Sequence, residues 1–162
     1  MTGQYILCIV IAALLGGAIG LEREYRSKEA GFRTHFLVGL GSGLFMVLSL
    51  HGFDAFAGIP GIQRDPSRIA AQVVSGIGFI GAGCIIFQKN AVKGLTTAAG
   101  LWVTSAIGMT AGAGLYALAS VATALVLLCL EGSDFIHHHV FHEKDASQPE
   151  EDASQSEEHE AE

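Results

Sequence analysis

The sequence contains four stretches without Lys, Arg, Asp or Glu, at residues 1–21, 34–53, 69–88 and 94–130. A helix needs roughly 20 apolar residues to cross the ~30 Å hydrocarbon layer of a bilayer. Each of the first three stretches therefore fits one crossing. The fourth has 37 residues, which is too long for one helix and just long enough for two. These lengths predict a chain that folds inside a membrane.

The pattern predicts an all-α bundle of about five transmembrane helices. Their expected ranges are 3–21, 34–52, 68–87, 94–111 and 114–130. The break inside the fourth stretch is expected at Gly112-Ala113-Gly114, because glycine permits a tight turn. An alternative with four crossings and one re-entrant segment stays open for the last two helices.

Charged residues are distributed unevenly along the chain. Residues 1–130 hold eight of the nine Lys and Arg but five of the sixteen acids, whereas residues 131–162 hold eleven acids and one Lys. We expect a transmembrane domain at 1–131 and a polar acidic cytoplasmic tail at 132–162. The tail is expected to be largely disordered from about residue 144, because its composition cannot bury a core. Nucleic-acid binding is not expected, since the chain has no dense basic patch.

The basic residues also predict the orientation, because cytoplasmic loops are enriched in Lys and Arg. An N-terminus outside the cell places seven of the nine basic residues in the cytoplasm, and the reverse orientation places two there. We therefore expect a multi-pass protein with its N-terminus outside and its C-terminus in the cytoplasm.

Small residues recur at about four-residue spacing in the expected helices, as in Ala71, Ser75, Gly78 and Ala82 of the third. Lipid supplies no hydrophobic drive between helices, so small residues that let backbones approach each other promote packing. We expect packing within the subunit, with a homo-oligomer interface as the alternative, and Gly78→Leu is expected to disrupt assembly. The candidate packing residues are Gly16, Gly20, Gly39, Gly43, Ser75, Gly78, Gly81, Gly83, Gly100 and Gly108.

Polar residues gather at the ends of the expected helices. Glu22, Arg23 and Arg33 are expected to form an ion-pair network that fixes the hairpin of helices 1 and 2, and Arg68 with Gln72 could do the same on the other side. Alternatively, such side chains reach the lipid head groups. No carboxylate lies in the middle of an expected span, which argues against a proton or cation pump. The candidate ligand or partner site comprises Glu22, Arg23, Arg33, Thr34, Arg68, Gln72, Thr97 and Trp102.

The sequence contains no motif that indicates an enzyme. A nucleophile elbow, a phosphate loop and an HExxH pair are all absent from it, so no catalytic residue and no cofactor are expected. Cys8, Cys84 and Cys129 form no CxxC pattern and are expected to be small buried side chains. The histidines of residues 137–142 could offer imidazoles to a soft metal, but a polar helix beside the membrane is the simpler interpretation, and no metal site is expected.

Four segments resemble the membrane domain of the MgtC/SapB family. They are GAIGLERE at residues 17–24, AGFRTH at 30–35, DPSRIAAQVVSGIGFIGAG at 65–83 and KGLTTAAGLW at 93–102. The order and spacing of the segments match over roughly residues 5–130. The resemblance marks Glu22, Arg23, Gly31, Arg33, Thr34, Arg68, Gln72, Gly76, Gly81, Gly83, Gly94, Thr97, Ala98, Ala99 and Trp102.

The resemblance implies a bacterial inner-membrane protein of about five helices that acts as a regulator. It would support adaptation to magnesium limitation or acid stress, surrounded by membrane lipids and restraining the F-type ATP synthase. A small oligomeric ion or solute transporter is the alternative. The chain differs from the virulence-associated members of the family in two features, which make it more similar to a short housekeeping member. Thr96 stands where those members have Asn, and an acidic tail takes the place of their folded cytoplasmic domain.

Overall fold

Five α-helices make up most of the part of the chain that the structure describes. The computed structural model describes residues 2–56, 58–59, 65–88 and 91–140, and their side chains as far as residue 132. The helices are α1 (Thr2–Tyr25), α2 (Phe32–His51), α3 (Ser67–Gly83), α4 (Leu95–Gly112) and α5 (Tyr116–Val140). A 3-10 turn at Asp54–Phe56 follows α2, and the short strands β1 (Ile86–Gln88) and β2 (Ala91–Lys93) separate α3 from α4. The predicted helical class with five helices is confirmed.

The chain divides into two units, Met1–Val126 and Leu127–Glu162. In the first unit α1, α2 and α4 pack against one another, and α3 packs against α2 and α4. In the second unit the structure describes the C-terminal part of α5. The expected domain boundary at residue 131 stays a prediction, and the acidic tail from residue 141 lies outside the described residues.

The break between α4 and α5 falls at the predicted place. Gly114 has φ 81°, a left-handed conformation in which glycine carries no Cβ penalty. Its N–H donates to the carbonyl of Ala111 at 2.9 Å, and the N–H of Leu115 donates to the carbonyl of Thr110 at 3.1 Å. These two bonds form a Schellman motif, which satisfies the free carbonyls at the end of α4.

The expected end of the third helix at residue 87 is wrong. α3 stops at Gly83, and Ile86 to Gln88 then pair antiparallel with β2. Hydropathy alone does not separate a helix from a short strand, but the β-branched and aromatic residues at 85–87 favour a strand. Gly94, at φ 85°, then turns the chain into α4, and a Cβ at this position would collide with the carbonyl of Cys84.

Many large apolar side chains of the described helices are exposed, whereas most buried positions hold small or polar residues, with Ile19, Leu101 and Ile107 as large buried exceptions. Phe79 is 85% exposed and Leu14 is 61% exposed, whereas Ala12 and Thr104 are completely buried. Soluble proteins rarely leave such wide apolar areas in water, whereas lipid solvates them. Within the described part of the chain, Thr2–Tyr25 and Phe32–Phe56 are long and apolar enough, by length and composition, to cross a membrane.

Candidate functional site

Backbone contacts between glycines hold α1, α2 and α4 together. A Cβ added to Gly39 would lie 2.5 Å from the carbonyl oxygen of Ala12 on α1, and one added to Gly108 would lie 2.5 Å from the carbonyl oxygen of Gly39. A Cβ at Gly16 would lie 2.5 Å from the carbonyl oxygen of His35. A Cβ atom does not approach a backbone oxygen this closely, so these crossings require glycine.

Three further candidate glycines also lie at contacts between these helices, but the distances to the neighbouring atoms vary more. A Cβ at Gly20 would lie 2.7 Å from the Cα of Phe32, and one at Gly43 would lie 2.6 Å from the Cβ of Ala12. Gly100 is looser, with only the Nε2 of the His35 ring at 3.5 Å. The structure therefore places all six of the candidate glycines of α1, α2 and α4 at helix contacts.

The candidate packing residues of α3 are placed differently. A Cβ at Gly81 would make ordinary contact with Ala98 at 3.6 Å, but no atom lies within 4 Å of the Cβ position at Gly78 or Gly83. Ser75 is exposed. The expectation that this ladder packs within the subunit is therefore wrong for these exposed positions, as far as the described residues show. The small-residue side of α3 faces outward instead.

A buried ion-pair group closes the C-terminal end of α1. Glu22 pairs with the adjacent Arg23 through both carboxylate oxygens, one of them 2.6 Å from Nη2, and accepts a further bond from Arg26 Nε at 3.0 Å. The side chains of Arg23 and Glu22 are 3% and 8% exposed. A buried charge is tolerated when it is paired, and a cation also suits the C-terminal end of a helix.

Arg33 takes no part in that group, so the predicted network of Glu22, Arg23 and Arg33 is wrong about its third member. Glu24 connects the hairpin instead, because its Oε2 accepts a bond from the N–H of Phe32 at 2.8 Å. The first N–H groups of a helix have no partner within the helix, and Glu24 satisfies one of them in α2. Sequence reasoning missed this role because an acid eight residues away is not a local capping signal.

His35 is the buried polar side chain at the centre of these contacts, and it too was missed as a site residue. It is fully buried, and its Nδ1 lies 3.0 Å from the carbonyl oxygen of Gly31. That carbonyl can only accept, so Nδ1 carries the proton and Nε2 is an acceptor. Nε2 is buried without a hydrogen-bond partner among the described residues.

Thr97 joins the start of α4 to the turn between α1 and α2. Its buried hydroxyl donates to Glu29 Oε2 at 2.7 Å. This bond, helped by a backbone bond and by the nearby Lys28 and Lys93, holds the pKa of Glu29 below its usual value. These residues lie at the end of α1, in the following turn and in the first turns of α2 and α4, and we call Glu22, Arg23, Arg26, Glu29, His35 and Thr97 the polar cluster.

Arg33, Thr34 and Gln72 lie in a groove between α2 and α3, which has a volume of about 660 Å³. The groove also includes Ser42 and Ser105, whose hydroxyls bond to each other at 2.8 Å. Its other lining residues are Leu37, Val38, Gly41, Phe45, Ile69, Val73, Gly76, Ile77 and Ile80. The structure therefore separates the predicted site into a polar cluster and this α2–α3 groove.

The remaining candidates lie apart from both features. Arg68 is 82% exposed and approaches Asp65 at 3.8 Å, so the expected pairing of Arg68 with Gln72 does not occur. Asp65 accepts bonds from the N–H and hydroxyl of Ser67 at 3.0 and 2.6 Å, which lower the pKa of Asp65 and give the first N–H of α3 a partner. Trp102 is 54% exposed on α4.

The cysteines are all free. Cys8 is buried and hydrogen-bonds the hydroxyl of Tyr116 at 3.0 Å, whereas Cys84 is partly exposed and Cys129 is exposed, which corrects the expectation for these two. Within the described residues, no three His, Cys, Asp or Glu side chains are placed to hold a metal ion. The histidines of residues 137–142 lie outside the described side chains.

These features define a helical membrane protein held together by glycine contacts, with a polar cluster at one end. Residues 9–139 match the model of the MgtC family. The chain belongs to the MgtC family and is a membrane protein. No solved structure matches it significantly.

Curated relatives extend the comparison. The chain is 51% identical over 131 residues to "Putative magnesium transporter YhiD" of Escherichia coli K12, covering 81% of this chain and 61% of YhiD. It is 45% identical over 120 residues to "Protein MgtC" of Brucella abortus strain 2308, covering 74% of this chain and 47% of the relative. An uncharacterized protein of Haemophilus influenzae is 40% identical over 134 residues, covering 82% of this chain and 56% of that protein. The chain thus spans about half to three fifths of these relatives.

Proposed function

We propose that this chain is a regulatory protein of the bacterial inner membrane that acts during magnesium limitation or acid stress. It acts by helix-to-helix contact with another membrane complex, for which the family resemblance suggests the F-type ATP synthase. The names of two relatives, "Putative magnesium transporter YhiD" and "Protein MgtC", support the connection with magnesium. The proposed orientation keeps the N-terminus outside and the C-terminus in the cytoplasm.

The observation that carries this proposal is the outward face of α3. Ala71, Ser75, Gly78 and Ala82 are all exposed, and at about 100° per residue they share one side of the helix. The Cβ position of Gly78 has open space around it. Small residues let a second helix approach closely in a membrane, so this face is suited to contact with a helix of a partner.

The polar cluster favours a regulator over a carrier. Both carboxylate oxygens of Glu22 are used by Arg23 and Arg26, and Arg23 is buried. Coupled carriers usually place a carboxylate where an ion or proton can reach it. In this cluster the paired charges instead neutralise one another at the C-terminal end of α1, which is a structural role.

A pull-down from detergent-solubilised membranes tests the proposal. Tagged protein should recover a membrane complex that contains ATP synthase subunits, and Gly78→Leu should lower that recovery by about tenfold, equivalent to ~1.4 kcal/mol. Ala117→Leu, which changes an exposed small residue on α5, is the matched control and should leave recovery unchanged. Equal recovery with both variants would rule out the α3 face as the contact.

A transporter is the second candidate, because the relative YhiD carries that name. Purified protein in liposomes should pass no Mg²⁺ if the regulatory proposal is right. Flux that is measurable, and that disappears in Arg68→Ala or Gln72→Ala, would replace the regulator with a carrier.

A further inference from the structure

We propose that the α2–α3 groove is a lipid site, which holds one acyl chain of an anionic phospholipid with the phosphate at Arg33. The two helices run antiparallel there, since Ser49 near the end of α2 bonds the carbonyl of Pro66 just before α3. Arg33 is therefore at one end of the groove, and Gln72, in the second turn of α3, lies towards the other.

The groove has the length and lining that an acyl chain needs. From Arg33 to Phe45 its α2 wall covers twelve residues, which is about 18 Å at 1.5 Å per residue. One leaflet of the ~30 Å hydrocarbon layer is about 15 Å deep. Most lining side chains are apolar, and the hydroxyls of Ser42 and Ser105 satisfy each other.

Glycines keep the groove open. Gly41 on α2 and Gly76 on α3 both line it, and at each of them no atom lies within 4 Å of the Cβ position. Exposed Leu37 and Phe45 stand beside them. In a bilayer, the open volume of the α2–α3 groove is adjacent to the hydrocarbon tails of the lipids. A hydrocarbon chain can fill an apolar groove without a desolvation cost.

Charge complementarity identifies the head group. Arg33 is exposed at the mouth of the groove, and among the described residues its guanidinium has no ion pair and no hydrogen bond. The described lining contains no carboxylate, and the half-buried Thr34 lies next to Arg33. A guanidinium donates to phosphate in a bidentate manner, and an arginine at the end of a span reaches the head-group level.

The lipid site is independent of the proposed regulatory contact. At about 100° per residue, groove residues Ile69, Val73 and Ile80 lie on the side of α3 opposite to Ser75 and Gly78. A lipid in the groove therefore leaves the outward face free. Gly78→Leu should change partner recovery and leave lipid binding unchanged.

Native mass spectrometry of the full chain in detergent tests the lipid site. With added phosphatidylglycerol the protein should retain one lipid, in preference to phosphatidylethanolamine. Arg33→Gln should reduce phosphatidylglycerol binding about fivefold, the equivalent of ~1 kcal/mol for one basic residue near anionic lipid. Gly41→Leu should reduce binding of both lipids, because its side chain enters the open groove.

Two matched variants control the experiment. Arg68→Gln removes an exposed arginine that does not line the groove, and Gly3→Leu adds a side chain where another glycine has open space. Both should bind lipid as the parent does, with unchanged circular dichroism in all four variants. Equal loss in Arg68→Gln and Arg33→Gln, or undiminished binding in Gly41→Leu, would overturn the proposal. So would a second protein copy retained in place of the lipid.

Discussion

The Nε2 atom of His35 faces Gly100, whose Cβ position lies 3.5 Å from that nitrogen. The backbone carbonyl oxygen of His35 faces Gly16, and the Cβ of His35 faces Gly20. His35 on α2 therefore contacts glycines of both α1 and α4, through its backbone carbonyl and Cβ on one side and its ring on the other.

His35→Ala should lower the free energy of unfolding by about 2–4 kcal/mol, because removal of a buried side chain leaves a cavity. Unfolding in mixed micelles at increasing denaturant measures this quantity. Thr34→Ala is the control, since Thr34 is half-buried in the groove, and should cost less than about 1 kcal/mol. Equal effects of the two variants would mean that His35 does not support the bundle.

Gly39→Ala and Gly41→Ala form a pair on the same helix. The added Cβ at residue 39 would lie 2.5 Å from the carbonyl of Ala12, whereas at residue 41 it meets open space. Overpacking of this kind costs about 1–3 kcal/mol, and alanine is the better helix former. Thermal melting in detergent should therefore show a lower midpoint for Gly39→Ala and an unchanged or higher one for Gly41→Ala. The reverse order would contradict the glycine contacts.

Glu24→Ala should destabilise the hairpin of α1 and α2 by about 0.5–2 kcal/mol, the usual effect of losing a helix cap. Glu24→Gln keeps an oxygen that can accept the Phe32 N–H and should recover much of the loss. Arg33→Gln should have no effect on the same unfolding curve. If Arg33→Gln is the more damaging variant, the hairpin depends on an arginine network after all.

The bond from Thr97 to Glu29 predicts a pH-dependent contribution to stability. The pKa of Glu29 is lowered in the folded chain from an ordinary value of 4.5, so the bond contributes fully above that value and is lost as the pH falls through the folded one. The stability gap between the parent and Thr97→Val should therefore be widest near neutral pH and narrow below about pH 4.

The control for that experiment is Thr110→Val. The hydroxyl of Thr110 donates to the carbonyl of Ala106 at 2.8 Å, and neither group titrates in this range. The difference in free energy of unfolding between the parent and Thr110→Val should stay constant from pH 3 to 7. If the difference for Thr97→Val is equally constant, the hydroxyl of Thr97 does not affect the pKa of Glu29.

Local composition was enough to predict the class of this protein. Long charge-free stretches can be stable as helices in lipid, and the glycines at 112 and 114 mark where one such stretch must break. Both features depend on residues that are neighbours in the sequence, so they can be predicted without knowledge of tertiary contacts. The end of α3 at Gly83 could not be predicted in this way, because strand pairing depends on a partner segment rather than on hydropathy.

Tertiary structure decided which residues meet. Glycine occurs in all five of the expected helices, yet Gly39 contacts the backbone of α1 while Gly78 faces outward. Glu24 rather than Arg33 connects the hairpin, and His35 becomes buried against glycines of α1 and α4. Each of these outcomes depends on how a helix is rotated about its axis when it packs. That rotation comes from the simultaneous fit of three helices, which the order of residues along any one of them does not specify.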